Sequence, residues 1–133
     1  MSTNKIIIED TYKAFSRGDR QYIVDACIEN VTWSYYGVPG VPLIGNFQGK
    51  NGVKHFFESL RLNIKTLNHI RNEFIIDGDS VVALGSAIVH VKTTGKTFEH
   101  NWCHVYTIKN GKIAVFRGFT SNPDGMAAAF FQY

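Results

Sequence analysis

The chain contains two cysteines and three prolines, and no apolar run approaches the ~18 residues of a membrane-crossing helix. Cys27 and Cys103 are far apart and make no CxxC pair. That leaves at most one disulfide, and two lone thiols in a reducing compartment is the plainer reading. The longest apolar stretch near the start, Ile6-Ile7-Ile8, is too short for the core of a secretory signal. These scarcities point to a cytoplasmic protein with no membrane partner. Fourteen Lys and Arg against eleven Asp and Glu give a net charge of +3, and no two basic residues are adjacent. A nucleic-acid binder clusters its basic residues on a face or stripe, so no nucleic-acid partner is expected. Repeats, low-complexity segments and linkers are also missing, and residues 1–133 read as a single domain.

Aromatic residues are plentiful: ten Phe, six Tyr and two Trp, 14% of the chain. Each ring buries a large area, enough in sum to build a core and still line a cavity. Their spacing changes along the chain. Ile7, Ile8, Tyr12 and Phe15 recur at helical intervals between Asn4 and Arg17. Gly18 is a stop signal, and Asp19 can cap a second helix over Arg20–Cys27. Val31–Tyr36 alternates like a strand, and the Gly- and Pro-rich stretch Gly37–Gly45 breaks it. A third helix is predicted over Lys50–Ile64, with Val53, Phe56, Phe57 and Leu60 on one side. Four long strands follow, predicted over Leu67–Ile76, Val81–Lys92, Thr97–Ile108 and Lys112–Thr120. Asp77-Gly78-Asp79, Thr94-Gly95-Lys96 and Asn110-Gly111 between them are hairpin signals. An apolar tail, Met126–Phe131, can form a last helix.

The order predicts an α+β fold with helices on one face of a curved, mostly antiparallel sheet. Both faces of Val81–Val91 are apolar. Val82, Leu84 and Ile88 lie on one side, and Val81, Ala83, Ala87, Val89 and Val91 on the other. The face not covered by helices needs a second cover, so a homodimer is expected.

Several short motifs then occur in a fixed order. They are Tyr12-Lys-Ala-Phe-Ser-Arg-Gly-Asp19, Val31-Thr-Trp33, Phe47-Gln-Gly49, Gly52-Val53, Asp77-Gly-Asp79, Trp102-Cys-His104 and Asn110-Gly-Lys-Ile113. In that order and at those spacings the chain resembles the SnoaL-like branch of the nuclear transport factor 2-like superfamily, which includes the ketosteroid isomerases. The resemblance implies a cone: a curved mixed sheet wrapped around three N-terminal helices, with a pocket for a small hydrophobic molecule at the open end. It also implies dimerisation through the outside of the sheet. The fold hosts many reactions and some binding-only members, so it does not name a chemistry.

His104 is the candidate catalytic residue. His100, Trp102, His104, Tyr106 and Ile108 share one face of their strand, and Tyr106 and Ile108 are core-like. An imidazole between core and cavity can exchange a proton near neutral pH. The resemblance adds that a His at the matching position takes part in catalysis in SnoaL-like cyclases. A structural His, bonded to a backbone carbonyl or a Tyr, fits the same pattern. The familiar catalytic sets do not carry over whole. The isomerase base matches Tyr35, the cyclase's acidic partner matches Gly118, and the isomerase's helical Tyr falls nearest Thr11, one residue from Tyr12.

Trp33, Tyr35, Phe56, Trp102, Tyr106, Phe116 and Thr120 are candidate lining residues, with Tyr12 beside them. Asn72, with Asn68, shares the parity of Phe74 and Ile76. Facing inward it would be a buried amide suited to a ligand; facing outward it would carry no role. No metal site is expected. His100 and His104 lie four residues apart on a strand, which separates their Cα atoms by ~13 Å. Three readings remain open at this point: a cofactor-independent enzyme using His104 for proton transfer on a small hydrophobic molecule, a binding protein for such a molecule, and a dimeric interaction module.

Overall fold

The switch from helical spacing to alternation appears in the fold as two helices, two strands, a third helix and then a four-strand meander. The computed structural model describes residues 3–131. Its elements are α1 (Thr3–Ser16), α2 (Arg20–Asp25), β1 (Cys27–Tyr36), β2 (Gly45–Gln48), α3 (Gly49–Asn63), β3 (Ile64–Asp77), β4 (Ser80–Val91), β5 (Thr97–Lys109), β6 (Lys112–Thr120) and α4 (Pro123–Phe130). The strands form one open sheet in the order β2-β1-β6-β5-β4-β3. β1 runs parallel to β6 and every other pair is antiparallel. The fold is therefore α+β, with a mixed sheet. Among the described residues no helix is long and apolar enough to cross a membrane.

Local chemistry sets the ends of the elements. Gly18 closes α1 with φ +75°, and the Asp19 side chain accepts from the Tyr22 backbone N–H at 3.1 Å to start α2. Asn122 caps α4 in the same way, accepting from the Gly125 N–H at 2.9 Å, with Pro123 in the first turn. Asn110 and Gly111 have φ 51° and 76°, the left-handed pair a tight hairpin needs.

Three boundaries differ from the sequence expectation. α2 stops at Asp25 and Cys27 already belongs to β1, where it pairs with Ile113. β2 begins at the end of the Gly- and Pro-rich segment and has only four residues, too few for alternation to mark; it pairs with β1 from Thr32↔Gln48 to Tyr35↔Gly45. β3 starts at Ile64, directly after α3, three residues earlier than expected.

The core lies between α1–α3 and the inner face of the sheet. Ile8, Ala14, Val31, Val53, Val81, Val91 and Ile113 are wholly buried there. The inner face of β4 is the odd-numbered set from Val81 to Val91. Its outer set is only half-buried, and beside it Ile70, Ile75, Tyr36 and Phe119 are exposed.

Candidate functional site

β5 builds the floor of the site. It runs without irregularity against β4, so its even-numbered side chains all face inward, and Phe98, Trp102, Tyr106 and Ile108 are buried. They enclose, with α1, α3, β1, β3 and β6, a cavity of about 110 Å³. Tyr12, Trp33, Tyr35, Phe56, Trp102, His104, Tyr106 and Phe116 line it, eight of the residues singled out from the sequence.

Two of the candidates lie elsewhere. Asn72 is exposed, because β3 carries bulges between Thr66 and Asn68 and between Arg71 and Glu73. A bulge inserts one residue and reverses the parity of the strand beyond it. The two together turn Asn72 away from the cavity and His69 toward it. They also separate Arg71 from Glu73, two residues whose alternation alone implies a common outer face. The Arg71 guanidinium lies 5.5 Å above the Tyr12 ring. Thr120 does not line the cavity either; its hydroxyl bonds His100 Nδ1 at 2.8 Å.

Small residues make room for the large rings. Gly118 sits opposite both His104 and Tyr35. A Cβ there would come within 2.5 Å of the Tyr35 ring. The position that matches an acidic partner in related cyclases is thus closed over by Tyr35, whose ring meets His104 edge-on at 5.9 Å. At Gly85 a Cβ would overlap both the Ile70 carbonyl and the Trp102 indole. Trp102 is held between two imidazoles, His69 at 4.8 Å and His104 at 4.3 Å between ring centroids.

A hydrogen-bond chain fixes His104. Tyr106 donates its hydroxyl to the Tyr12 oxygen at 2.9 Å, and the Tyr12 hydroxyl lies 2.6 Å from His104 Nδ1. With Tyr106 donating into Tyr12, the single Tyr12 proton goes to Nδ1, the one acceptor beside it. That donor order assigns the N–H of the neutral ring to Nε2; the reverse order, from Nδ1–H through Tyr12 to Tyr106, has the same distances and places it at Nδ1. Burial holds all the partners in their neutral forms. It pushes the His104 pKa well below the usual imidazole range, with His69 and His100 adding to the effect. Burial likewise brings His69 down to about 4, helped by His100 and Arg71. Tyr12, Tyr35 and Tyr106 are all raised, again chiefly by burial. His104 keeps accessible surface although it lies deep in the protein, because it lines the cavity.

The rest of the lining is apolar and donor-rich. Trp33 and Trp102 are 2% and 3% exposed, and neither indole N–H has a hydrogen-bond partner. Among the described residues no Asp or Glu lines the cavity. Among the described residues no cluster of three or more His, Cys, Asp or Glu is arranged to hold a metal ion. Cys27 is buried, with its thiol pushed up to about 12 by burial and bonded to the Ile23 carbonyl.

Sequence reasoning overlooked His69, Phe15, Leu43, Leu60 and Met126 as lining residues. Phe15 and Leu60 were legible from the helical stripes of α1 and α3. His69 was not, because a bulge has no signature in the alternation.

The SnoaL-like domain model matches residues 8–116. The chain belongs to the SnoaL-like domain family. Its fold is that of the nuclear transport factor 2-like proteins. A protein of unknown function from Burkholderia pseudomallei is 25% identical, with TM-score 0.89 over 99% of this chain and 100% of that one. A nuclear transport factor 2-like protein from Burkholderia thailandensis is 26% identical, with TM-score 0.86 over 99% of this chain and 100% of that one. TerC, co-crystallised with polyporic acid, is 25% identical, with TM-score 0.80 over 91% and 93%. No curated protein matches the chain.

Proposed function

We propose that this SnoaL-like domain takes into its cavity a small, mostly apolar molecule bearing an acceptor oxygen, such as an aryl ketone, and that His104 acts at that oxygen without a cofactor. The observation that carries the reading is the chain Tyr106→Tyr12→His104. It spends both hydroxyl protons inside the protein and leaves the His104 Nε2–H as a donor at a cavity that has no carboxylate. The size fits one ring, because an apolar cavity near 150 Å³ holds benzene. That TerC was crystallised with polyporic acid supports an oxygen-bearing ligand for a protein of this fold.

The chemistry open to such a site is enolisation. A donor at the carbonyl oxygen stabilises the charge that develops there when a neighbouring carbon loses its proton. Of the lining imidazoles, His69 makes no hydrogen bond through its ring nitrogens among the described residues and is the group to receive that proton. A base with its pKa near 4 is weak. That weakness favours a second reading, in which the same pocket binds its ligand and performs no turnover.

Acetophenone in deuterated buffer separates the two. Enzyme-catalysed exchange of its methyl protons, read by NMR, is the result the first reading expects. His104→Leu removes the donor at the carbonyl oxygen, so exchange falls by ~10²–10³ in protein that still folds. Exchange at the full rate in folded His104→Leu protein removes His104 from any mechanism. Binding without exchange in the parent protein leaves the second reading.

A further inference from the structure

The cavity does not end at the rings. Phe15, Phe57, Leu60, Ile64, Thr66 and His69 line both the inner cavity and an outer vestibule of about 420 Å³. Ser16, Gly18, Arg20 and Arg61 complete the vestibule, and among the described residues no carboxylate lines it. The inner chamber and the vestibule therefore adjoin across these side chains, between α1, α3 and β3, and the charged side chains of the vestibule are two guanidiniums.

Those guanidiniums are only partly neutralised. Glu58, beside the vestibule, takes the Arg61 fork through Nε at 3.1 Å and through Nη2, and Arg20 Nη1 stands 3.5 Å away. Two cations thus share one anion, leaving one positive charge and several N–H donors at the mouth. A guanidinium has five donors and no acceptor, and its preferred partner is a carboxylate or similar planar oxyanion. The interior offers the opposite environment: aromatic walls, neutral imidazoles and no charge.

We infer that the ligand is an amphiphilic anion, with an apolar ring in the inner chamber and a carboxylate or comparable oxyanion at its outer end, held by Arg20 and Arg61. This rests on the pocket reading above and adds the charge and polarity of the molecule to it. The arrangement also orients the ligand, because the anionic end cannot enter a chamber that holds three imidazoles neutral. The positive mouth draws anions from solution, and the apolar passage selects those with a ring to bury.

ω-Phenylalkanoates of increasing tail length, each compared with its primary amide by isothermal titration calorimetry, test this directly. At the tail length that spans the passage the acid binds about tenfold more tightly than the amide, and added salt shrinks that ratio. In the Arg20→Gln/Arg61→Gln protein the ratio falls toward one while the amide affinity stays. Glu58→Gln moves the other way and tightens the acid alone, because it removes the competing anion. Equal affinity for acid and amide at every tail length overturns the inference and leaves the pocket reading standing. So does a ratio unchanged in the double variant. Failure of acids and amides alike to bind overturns the pocket reading itself.

Discussion

Tyr12→Phe isolates the hydrogen-bond chain that orients His104. Tyr12 is 6% exposed, and its ring packs against His69, Phe74, Trp102, His104 and Tyr106, so a Phe ring keeps the apolar contacts. What disappears is one oxygen that serves two partners. Tyr106 loses its acceptor and His104 Nδ1 loses its donor. Each stranded buried group costs about 1–3 kcal/mol, so the substitution lowers stability by about 3 kcal/mol. For a domain of this size that is a fall of ~10 °C in melting temperature. Tyr106→Phe breaks only the first link, leaves Tyr12 free to donate to Nδ1, and costs about 1 kcal/mol. In the double variant no Tyr106 hydroxyl remains to be stranded. The two losses therefore do not add, and the cycle returns a coupling of about 1–2 kcal/mol. Urea denaturation of the four proteins measures all of this. Additive losses, or a Tyr12→Phe cost no larger than that of Tyr106→Phe, would refute the chain and with it the assigned His104 tautomer.

Stability should depend on pH through the same ring. His104 and His69 have folded pKa values below the unfolded value of about 6.5, so their full contribution is present above that pH. As pH falls below 6.5 the unfolded chain binds protons that the folded one refuses, and each group removes about 1.4 kcal/mol per pH unit. For His69 the loss levels off near pH 4. Denaturation midpoints flat between pH 7 and 5 would contradict this. Gly85→Ala should displace Trp102, destabilise the protein and abolish acetophenone binding, because its Cβ overlaps the Ile70 carbonyl and the indole; near-parental denaturation and titration curves would show that Trp102 has another place to go. The exposed Ile70, Ile75, Tyr36 and Phe119 on the outer sheet should drive self-association into a homodimer. Light scattering at micromolar concentration should then give twice the 15.0 kDa chain mass, and a value equal to the chain mass would sink the dimer.

The parts of this site that rest on unbroken periodicity were legible from the sequence. β5 runs regularly against β4 over its full paired length, so the alternation His100-Trp102-His104-Tyr106-Ile108 located the floor correctly. The hairpin at Asn110-Gly111 was equally plain, because its backbone demands those residue types. β3 was not legible. Its two bulges shift the inward set from one parity to the other and back, which exposed Asn72 and delivered His69 instead. β2 was hidden because it has only four residues, too few for a visible alternation, and is fixed by pairing with β1. The tautomer of His104 was beyond the sequence altogether. It depends on three hydroxyl and ring atoms contributed by α1 and β5, residues 92 and 94 positions apart in the chain.

The central claim is that His104 presents an Nε2–H to the ligand from a neutral ring anchored at Nδ1 by Tyr12. Two-dimensional ¹H–¹⁵N NMR of the histidine side chains tests it with and without acetophenone. The account predicts a protonated Nε2 and a bare Nδ1 for His104 at pH 7, with the neutral ring persisting below pH 6. It also predicts a shift of the Nε2–H resonance on adding acetophenone that ethylbenzene, which lacks the oxygen, does not produce. A His104 protonated at Nδ1, a charged ring at pH 7, or the same response to both molecules would contradict it.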